Sequence, residues 1–187
     1  MMISKTTNII DAAGKIINES GIKALTIEEL TFQMKNSHKD LSMYFKKDND
    51  ILIMLLIGLE SEIQQLIKDV EINSISTEEE FQNLFKSLNR FLERKPFYLT
   101  LIFDKDLSEN QHIINRIIKK VESYLIQLID KGKHDNIFKS ETKTRYLVNR
   151  ILVSFRLLMN EKRVTDTLVR DIAILHSKNY MDRNIII

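Results

Sequence analysis

Apolar residues recur along this chain at intervals of three and four. Ile9, Ile10, Ala13, Ile16 and Ile17 form one stripe, and Phe81, Leu84, Phe85, Leu88, Phe91 and Leu92 form another. A third and longer stripe runs through Ile113, Ile114, Ile117, Ile118, Val121, Tyr124, Leu125, Leu128 and Ile129. This is the period of an α-helix with one face turned to a core. No alternating run is long enough for a strand. The spacing predicts helices near 6–20, 26–33, 37–44, 48–72, 77–94, 96–104, 108–131, 140–160 and 164–180, an all-α fold of about nine helices.

Local punctuation agrees with that map. Thr26 with Glu29 three residues on reads as a capping box, Thr77 with Glu80 as a second, and Asp48 as the start of the helix that carries the Ile51 run. Gly21 and Gly132 stand where C-terminal caps belong, and Pro96 suits a first helical turn. Gly14 and Gly58 fall inside helical patterns, where each costs ~1 kcal/mol relative to Ala. Close packing of a neighbour is the expected reason at Gly58.

Composition then removes whole classes. With 187 residues, 43% hydrophobic, 29% charged and a net charge of +2, the chain has enough apolar surface to fold and too little net charge for disorder. Four Gly and one Pro exclude collagen-like sequences. The longest apolar run, Ile51 to Ile57, is far short of the ~20 residues that cross a bilayer, and the N-terminus lacks a signal peptide's apolar segment. The absence of cysteine excludes disulfides, thiolate metal sites and cysteine nucleophiles, and suits a cytoplasmic protein. Charge is uneven. Residues 1–47 carry seven Lys against five acidic residues, a net of +2, and the rest sums to zero. Within 35–47, Lys35, Lys39, Lys46 and Lys47 stand against Asp40 alone, with His38 between them. That is a mild basic patch of the kind nucleic acid attracts.

The segment Ile9-Ile10-Asp11-Ala12-Ala13, then Gly21, then Ala24-Leu25-Thr26-Ile27-Glu28-Glu29-Leu30, then Ser37, Leu41 and Tyr44-Phe45 resembles the N-terminal domain of the TetR family of bacterial transcriptional regulators. The match runs without a gap over about residues 8–56. The resemblance implies a helix-turn-helix DNA-binding domain, 1–47, followed by a helical regulatory and dimerisation domain, 48–187. Helix 26–33 would brace helix 37–44, which would lie in the major groove of a palindromic operator. Ile9, Ala13, Ile16, Ile27, Leu30, Leu41 and Phe45 would form the small core that fixes the pair. Thr26 and Tyr44 then face phosphates, Ser37, His38, Lys39 and Ser42 face bases, and Lys35, Asn36, Lys46 and Lys47 complete the contact set. His38 would make affinity depend on pH near neutrality. Several positions depart from the family pattern. The turn reads Met34-Lys35-Asn36 in place of Ala-Gly-Val, so either Lys35 or Asn36 must take φ > 0. The small residue of the bracing helix is Thr31, and the family's phosphate-facing lysine is replaced by Asp48.

No catalytic constellation accompanies this pattern, and the chain is not read as an enzyme. Asp104, Asp106, Glu109 and His112 come nearest to a metal cluster, but acids at a helix start are explained by the helix dipole, so neither a metal nor a cofactor is expected. By the same resemblance, the short helix from Pro96 to Phe103 lies against a ligand pocket. Phe85, Leu88, Phe97, Leu101, Leu125, Ile129 and Phe155 would line it for a small, mostly apolar ligand, with Arg156 available to an anionic group. The last two long helices carry apolar faces at Val148, Ile151, Leu152, Phe155 and Met159, and at Val164, Leu168, Ile172 and Leu175, which implies a homodimer through a four-helix bundle. The expected function is a ligand-responsive repressor. The alternative is a dimer of the same fold that has lost operator binding and acts through protein contacts.

Overall fold

The computed structural model describes residues 2–35, 41–104, 107–141 and 143–160, with side chains over 8–35, 41–104, 107–141 and 143–153. The described residues hold seven α-helices and no β-strand. They are α1 (Met2–Ser20), α2 (Ile27–Met34), α3 (Asp48–Asn73), α4 (Thr77–Arg94), α5 (Phe97–Phe103), α6 (Gln111–His134) and α7 (Thr144–Asn160). Two 3-10 turns, Ile22–Ala24 and Ser108–Asn110, precede α2 and α6. The fold is all-α, and the described residues hold seven helices where about nine were expected over the whole chain. Of the expected helix 37–44 only Leu41 and Ser42 are described as helical, and 164–180 lies outside the described residues.

The chain divides into two compact units that are not contiguous in sequence. One comprises Met1–Glu62 and Leu92–Asn115, the other Ile63–Phe91 and Arg116–Ile187. In the first unit Ile9, Ala13, Ile16, Leu30, Leu41 and Phe45 are buried as the periodicity requires, joined by Ile51, Leu55, Leu59, Tyr98 and Leu101. Ile27 is only half-buried, because it opens α2 at the surface. In this unit the Tyr98 hydroxyl donates to Glu62 Oε1 at 3.0 Å, and Lys95 Nζ lies 2.8 Å from both Glu62 oxygens. Burial of the ring and the adjacent Glu62 charge hold the Tyr98 phenol above its ordinary range.

The second unit is built on the α4 and α6 stripes. Phe81, Leu84, Phe85, Leu88 and Phe91 are buried, as are Tyr124, Leu125, Leu128 and Ile129. One carboxylate lies inside it. Glu80 accepts from the Tyr124 hydroxyl at 2.8 Å and from Lys131 Nζ at 2.7 Å, so a buried charge is matched by two donors. Desolvation first, and the Glu80 hydrogen bond second, raise the Tyr124 phenol above its ordinary range.

Several terminators act differently from their sequence reading. Gly21 does take φ 83°, ending the first helix as expected. Gly132 is not a cap. It lies inside α6, and the capping residue is Asn136 at φ 60°. Asn136 N–H bonds to the Lys133 carbonyl and Ile137 N–H to the Gly132 carbonyl, at 3.1 and 2.8 Å, which is a Schellman closure. Glycine is required at 132 because the Phe138 ring stands 2.4 Å from where a Cβ would be. The capping box of α4 also shifts by one residue. Ser76 Oγ accepts from Glu79 N–H at 3.2 Å, and the Glu79 carboxylate reaches back to Ile75 N–H at 3.0 Å. Thr77 is thereby released to donate to Asp135, and Glu80 to enter the core. Asp48 does open α3, but the carboxylate that caps this helix is that of Asp50, three positions into it.

Candidate nucleic-acid interface

The bracing helix α2 is fixed by local chemistry at both ends. Thr26 has extended backbone, and its Oγ1 accepts from Glu29 N–H at 3.1 Å. Leu30, one turn on, is fully buried. Thr31, where a small residue was expected, satisfies its hydroxyl on the Ile27 carbonyl of its own helix at 2.6 Å, so no polar group is left in the half-buried seam. The helix then ends on Lys35, which takes φ 54° and ψ 31° and donates its N–H to the Phe32 carbonyl. Lys35, one of the two alternatives for the turn, is left-handed. That conformation costs ~1–2 kcal/mol in a residue with a Cβ.

Beyond the turn, Leu41 and Phe45 are buried while Ser42 is half-buried and Tyr44 is 53% exposed. Their backbone bonds, Tyr44 N and Phe45 N to the Leu41 carbonyl at 2.9 Å, close this stretch as a turn. An exposed Tyr44 and two anchored apolar residues are the arrangement expected of a surface held rigidly from behind. Lys35, Lys46 and Lys47 are all exposed. Lys46 folds back so that its Nζ lies 3.3 Å from the Ser42 carbonyl.

Carboxylates from the first turn of α3 are threaded through this cluster. Asp50 Oδ2 accepts from Lys46 N–H at 2.7 Å and Lys47 N–H at 3.0 Å. Those amide bonds, Lys47 first and then Lys46, lower the Asp50 carboxyl below its ordinary value. Asp48 reaches further. Its Oδ1 accepts from Ile27 N–H at 2.7 Å, joining residues 21 positions apart in the chain. Sequence reading placed Asp48 opposite DNA phosphate. In the structure it occupies the N-terminal amide of α2. Spacing alone gave no signal for that bond, since it depends on how α3 crosses α2.

Six of the expected contact residues, Thr26, Lys35, Ser42, Tyr44, Lys46 and Lys47, are thus described, and all belong to the first unit. Asn36, Ser37, His38 and Lys39 lie outside the described residues. Of the expected ligand-site residues, Phe97 and Leu101 are buried in the first unit, and Phe85, Leu88, Leu125 and Ile129 in the second. The side chains of Phe155 and Arg156 lie outside the described residues. The first unit also carries an open cleft of about 280 Å³ lined by Asp11, Lys15, Asn18, Glu19, Arg94, Lys95 and Phe97. Its lining is charged, unlike the apolar set the sequence proposed. Among the described residues no helix is long and apolar enough to cross a membrane.

No protein-family model and no curated protein matches the chain. Solved structures do. The chain superimposes on the ketosteroid transcriptional regulator KstR2 of Mycobacterium tuberculosis with a TM-score of 0.78 at 13% identity, covering 93% of this chain and 95% of that one. Against the fatty acid degradation regulator FadR from Bacillus halodurans the TM-score is 0.75 at 21% identity, over 91% and 93%. Against the TetR-family transcriptional regulator PfmR from Thermus thermophilus it is 0.75 at 18% identity, over 89% and 95%. The likeness therefore spans nearly the whole length of both partners rather than the helix-turn-helix segment alone. This chain has the fold of the TetR-family transcriptional regulators.

Proposed function

We propose that this protein is a DNA-binding transcriptional regulator of TetR type, a repressor that responds to a small, mostly apolar ligand and acts as a homodimer in the cytoplasm. The observation that carries the reading is the N-terminal arrangement within a TetR-type fold that spans nearly the whole chain. A capped α2 ends in a left-handed turn, and Leu41 and Phe45 anchor the next segment with Tyr44 left at the surface. A helix-turn-helix uses such a brace to hold its second helix in the major groove. We assign DNA contact to residues 1–47, with Tyr44, Lys35, Lys46 and Lys47 on backbone phosphates and Ser37, His38, Lys39 and Ser42 on bases. Regulation and dimerisation fall to residues 48–187.

An apolar ligand is supported by the aromatic and aliphatic character of α4, α5 and α6, and by neighbours of this fold that are named for ketosteroid and fatty acid degradation regulation. Exposed apolar residues on α7, Tyr146 at 56% and Val153 at 54%, are consistent with a partner protomer covering that helix. The reading requires no catalysis and no cofactor.

The test is selection of genomic DNA by the purified protein, followed by footprinting of what is bound. A palindrome with half-sites about one helical turn apart, protected by a dimer, is the expected result. Recovery of no enriched DNA at low salt would refute operator binding. Sedimentation of the free protein as a monomer at micromolar concentration would refute the dimer.

A further inference from the structure

Several donors at the start of α2 and in the turn before α3 are engaged by acceptors of the same chain. Thr26 Oγ1 takes Glu29 N–H, Asp48 Oδ1 takes Ile27 N–H, Asp50 Oδ2 takes the amides of Lys46 and Lys47, and the Ser42 carbonyl takes Lys46 Nζ. Four of these five contacts serve the helix or turn on which they lie. The Asp48 contact does not. Asp50 takes the amides ahead of α3 and Thr26 takes Glu29 N–H in α2, so what Asp48 adds is a partner for Ile27 N–H, an α2 amide that Thr26 does not reach. Its carboxylate is exposed, it bridges two helices, and at 2.7 Å it is well formed. Glu28 and Glu29, both exposed in the first turn of α2, add negative charge beside it.

The amide it holds is a particular one. Ile27 N–H is the first donor of α2, one of the orphan groups that a helix start offers to an anion. In a helix-turn-helix the bracing helix crosses the DNA backbone, and such amides receive phosphate oxygens. A carboxylate oxygen and a phosphate oxygen make the same bond there, so one excludes the other. We infer that Asp48 is an internal competitor of the DNA backbone: it fills the α2 amide that a phosphate would take, and its release sets how tightly the chain holds DNA. The inference rests on the DNA-binding reading above and adds a residue whose effect is opposite in sign to the lysines around it.

The experiment compares Asp48→Ala, Asp48→Asn and Glu28→Gln with the unaltered full-length protein on the selected operator and on unrelated duplex, across a salt series. Asp48→Ala frees the amide and removes the charge. Asp48→Asn removes the charge but keeps an oxygen for Ile27 N–H, and Glu28→Gln removes an equal charge nearby. Asp48→Ala is expected to bind both DNAs about two- to tenfold more tightly than Asp48→Asn or Glu28→Gln, with the same salt slope as those two, because a neutral amide releases no counterion. Equal gains in all three variants would reduce the effect to net charge and overturn the competitor. So would weaker binding of Asp48→Ala with a lowered melting temperature, which marks a purely structural contact. A DNA-independent readout separates this from the function itself. Titration with inorganic phosphate should move the Ile27 amide resonance in Asp48→Ala and leave it unmoved in the unaltered protein. The same response in both proteins overturns the inference even if DNA is bound. If no variant selects DNA, the regulator reading falls, while the phosphate titration still decides whether Asp48 blocks an anion.

Discussion

Replacing each of two helical glycines by alanine should change stability in opposite directions, and the close neighbour expected at Gly58 is found at Gly14 instead. Gly14 in α1 and Gly58 in α3 both lie inside helices, so alanine gains ~1 kcal/mol of helix propensity at either place. At Gly58 the nearest atoms to an added Cβ are Tyr98 Oη at 3.7 Å and Ile10 Cδ1 at 3.9 Å, which is ordinary contact. The gain is kept, and Gly58→Ala should stabilise by ~0.5–1 kcal/mol. At Gly14 the added Cβ would stand 2.5 Å from Phe97 Cδ1 and Cε1 and 3.2 Å from Cγ. Phe97 is 4% exposed and its ring centroid lies 4.3 Å from that of Tyr98, itself fully buried, so the ring has little room to retreat. Overpacking of this kind costs ~1–3 kcal/mol, and up to ~2 kcal/mol survives the propensity gain. Thermal unfolding followed by circular dichroism reads the difference, at roughly 2–4 °C per kcal/mol for a chain of this size. Trimming the obstacle gives the control. In a Phe97→Leu background, Gly14→Ala should lose its penalty, a coupling that additivity forbids for sites out of contact. If Gly14→Ala raises the melting temperature as much as Gly58→Ala does, the packing of α1 on Phe97 is not as described.

Three other outcomes follow from named contacts. In the second unit, Glu80→Ala should destabilise most, by ~1.5–3 kcal/mol, because it strands the buried Tyr124 hydroxyl; Lys131→Met should cost under ~1 kcal/mol, since Lys131 is 54% exposed, and urea titration of both variants checks the order. Asp50 has a carboxyl lowered by the Lys47 and Lys46 amides, so its contribution is present above the ordinary carboxylate value of 3.8 and disappears as pH falls through the folded value. Asp50→Asn should therefore narrow the stability difference between pH 6 and about pH 3, measured by melting temperature. Lys35→Gly should stabilise the fold by ~1 kcal/mol by relieving the left-handed lysine, yet weaken binding to all DNA sequences alike with a salt slope smaller by about one. An affinity loss confined to one operator position would instead make Lys35 a base reader.

The sequence by itself determined the helices and most of the buried set, since both depend on short-range regularities. Period-3.6 stripes located α4 and α6, Thr26 and Glu29 located the start of α2, and Gly21 located the end of α1, each through contacts spanning four residues or fewer. The same regularities, with the Tyr44-Phe45 pair and the Leu30 and Leu41 anchors, carried the resemblance to the TetR family and with it the fold. Tertiary structure decided what each apparent cap and each lone charge is for. Gly132 looked like a terminator, but it exists for the Phe138 ring, and Asn136 ends the helix instead. Thr77 and Glu80 had capping-box spacing, yet their partners are Asp135, Tyr124 and Lys131, reached only when α4 and α6 pack. Asp48 read as a charge opposed to DNA, and its partner proved to be an amide on another helix. A local pattern fixes which backbone groups lack partners within their own helix. Which side chain fills each vacancy depends on helix crossings that no spacing along the chain encodes.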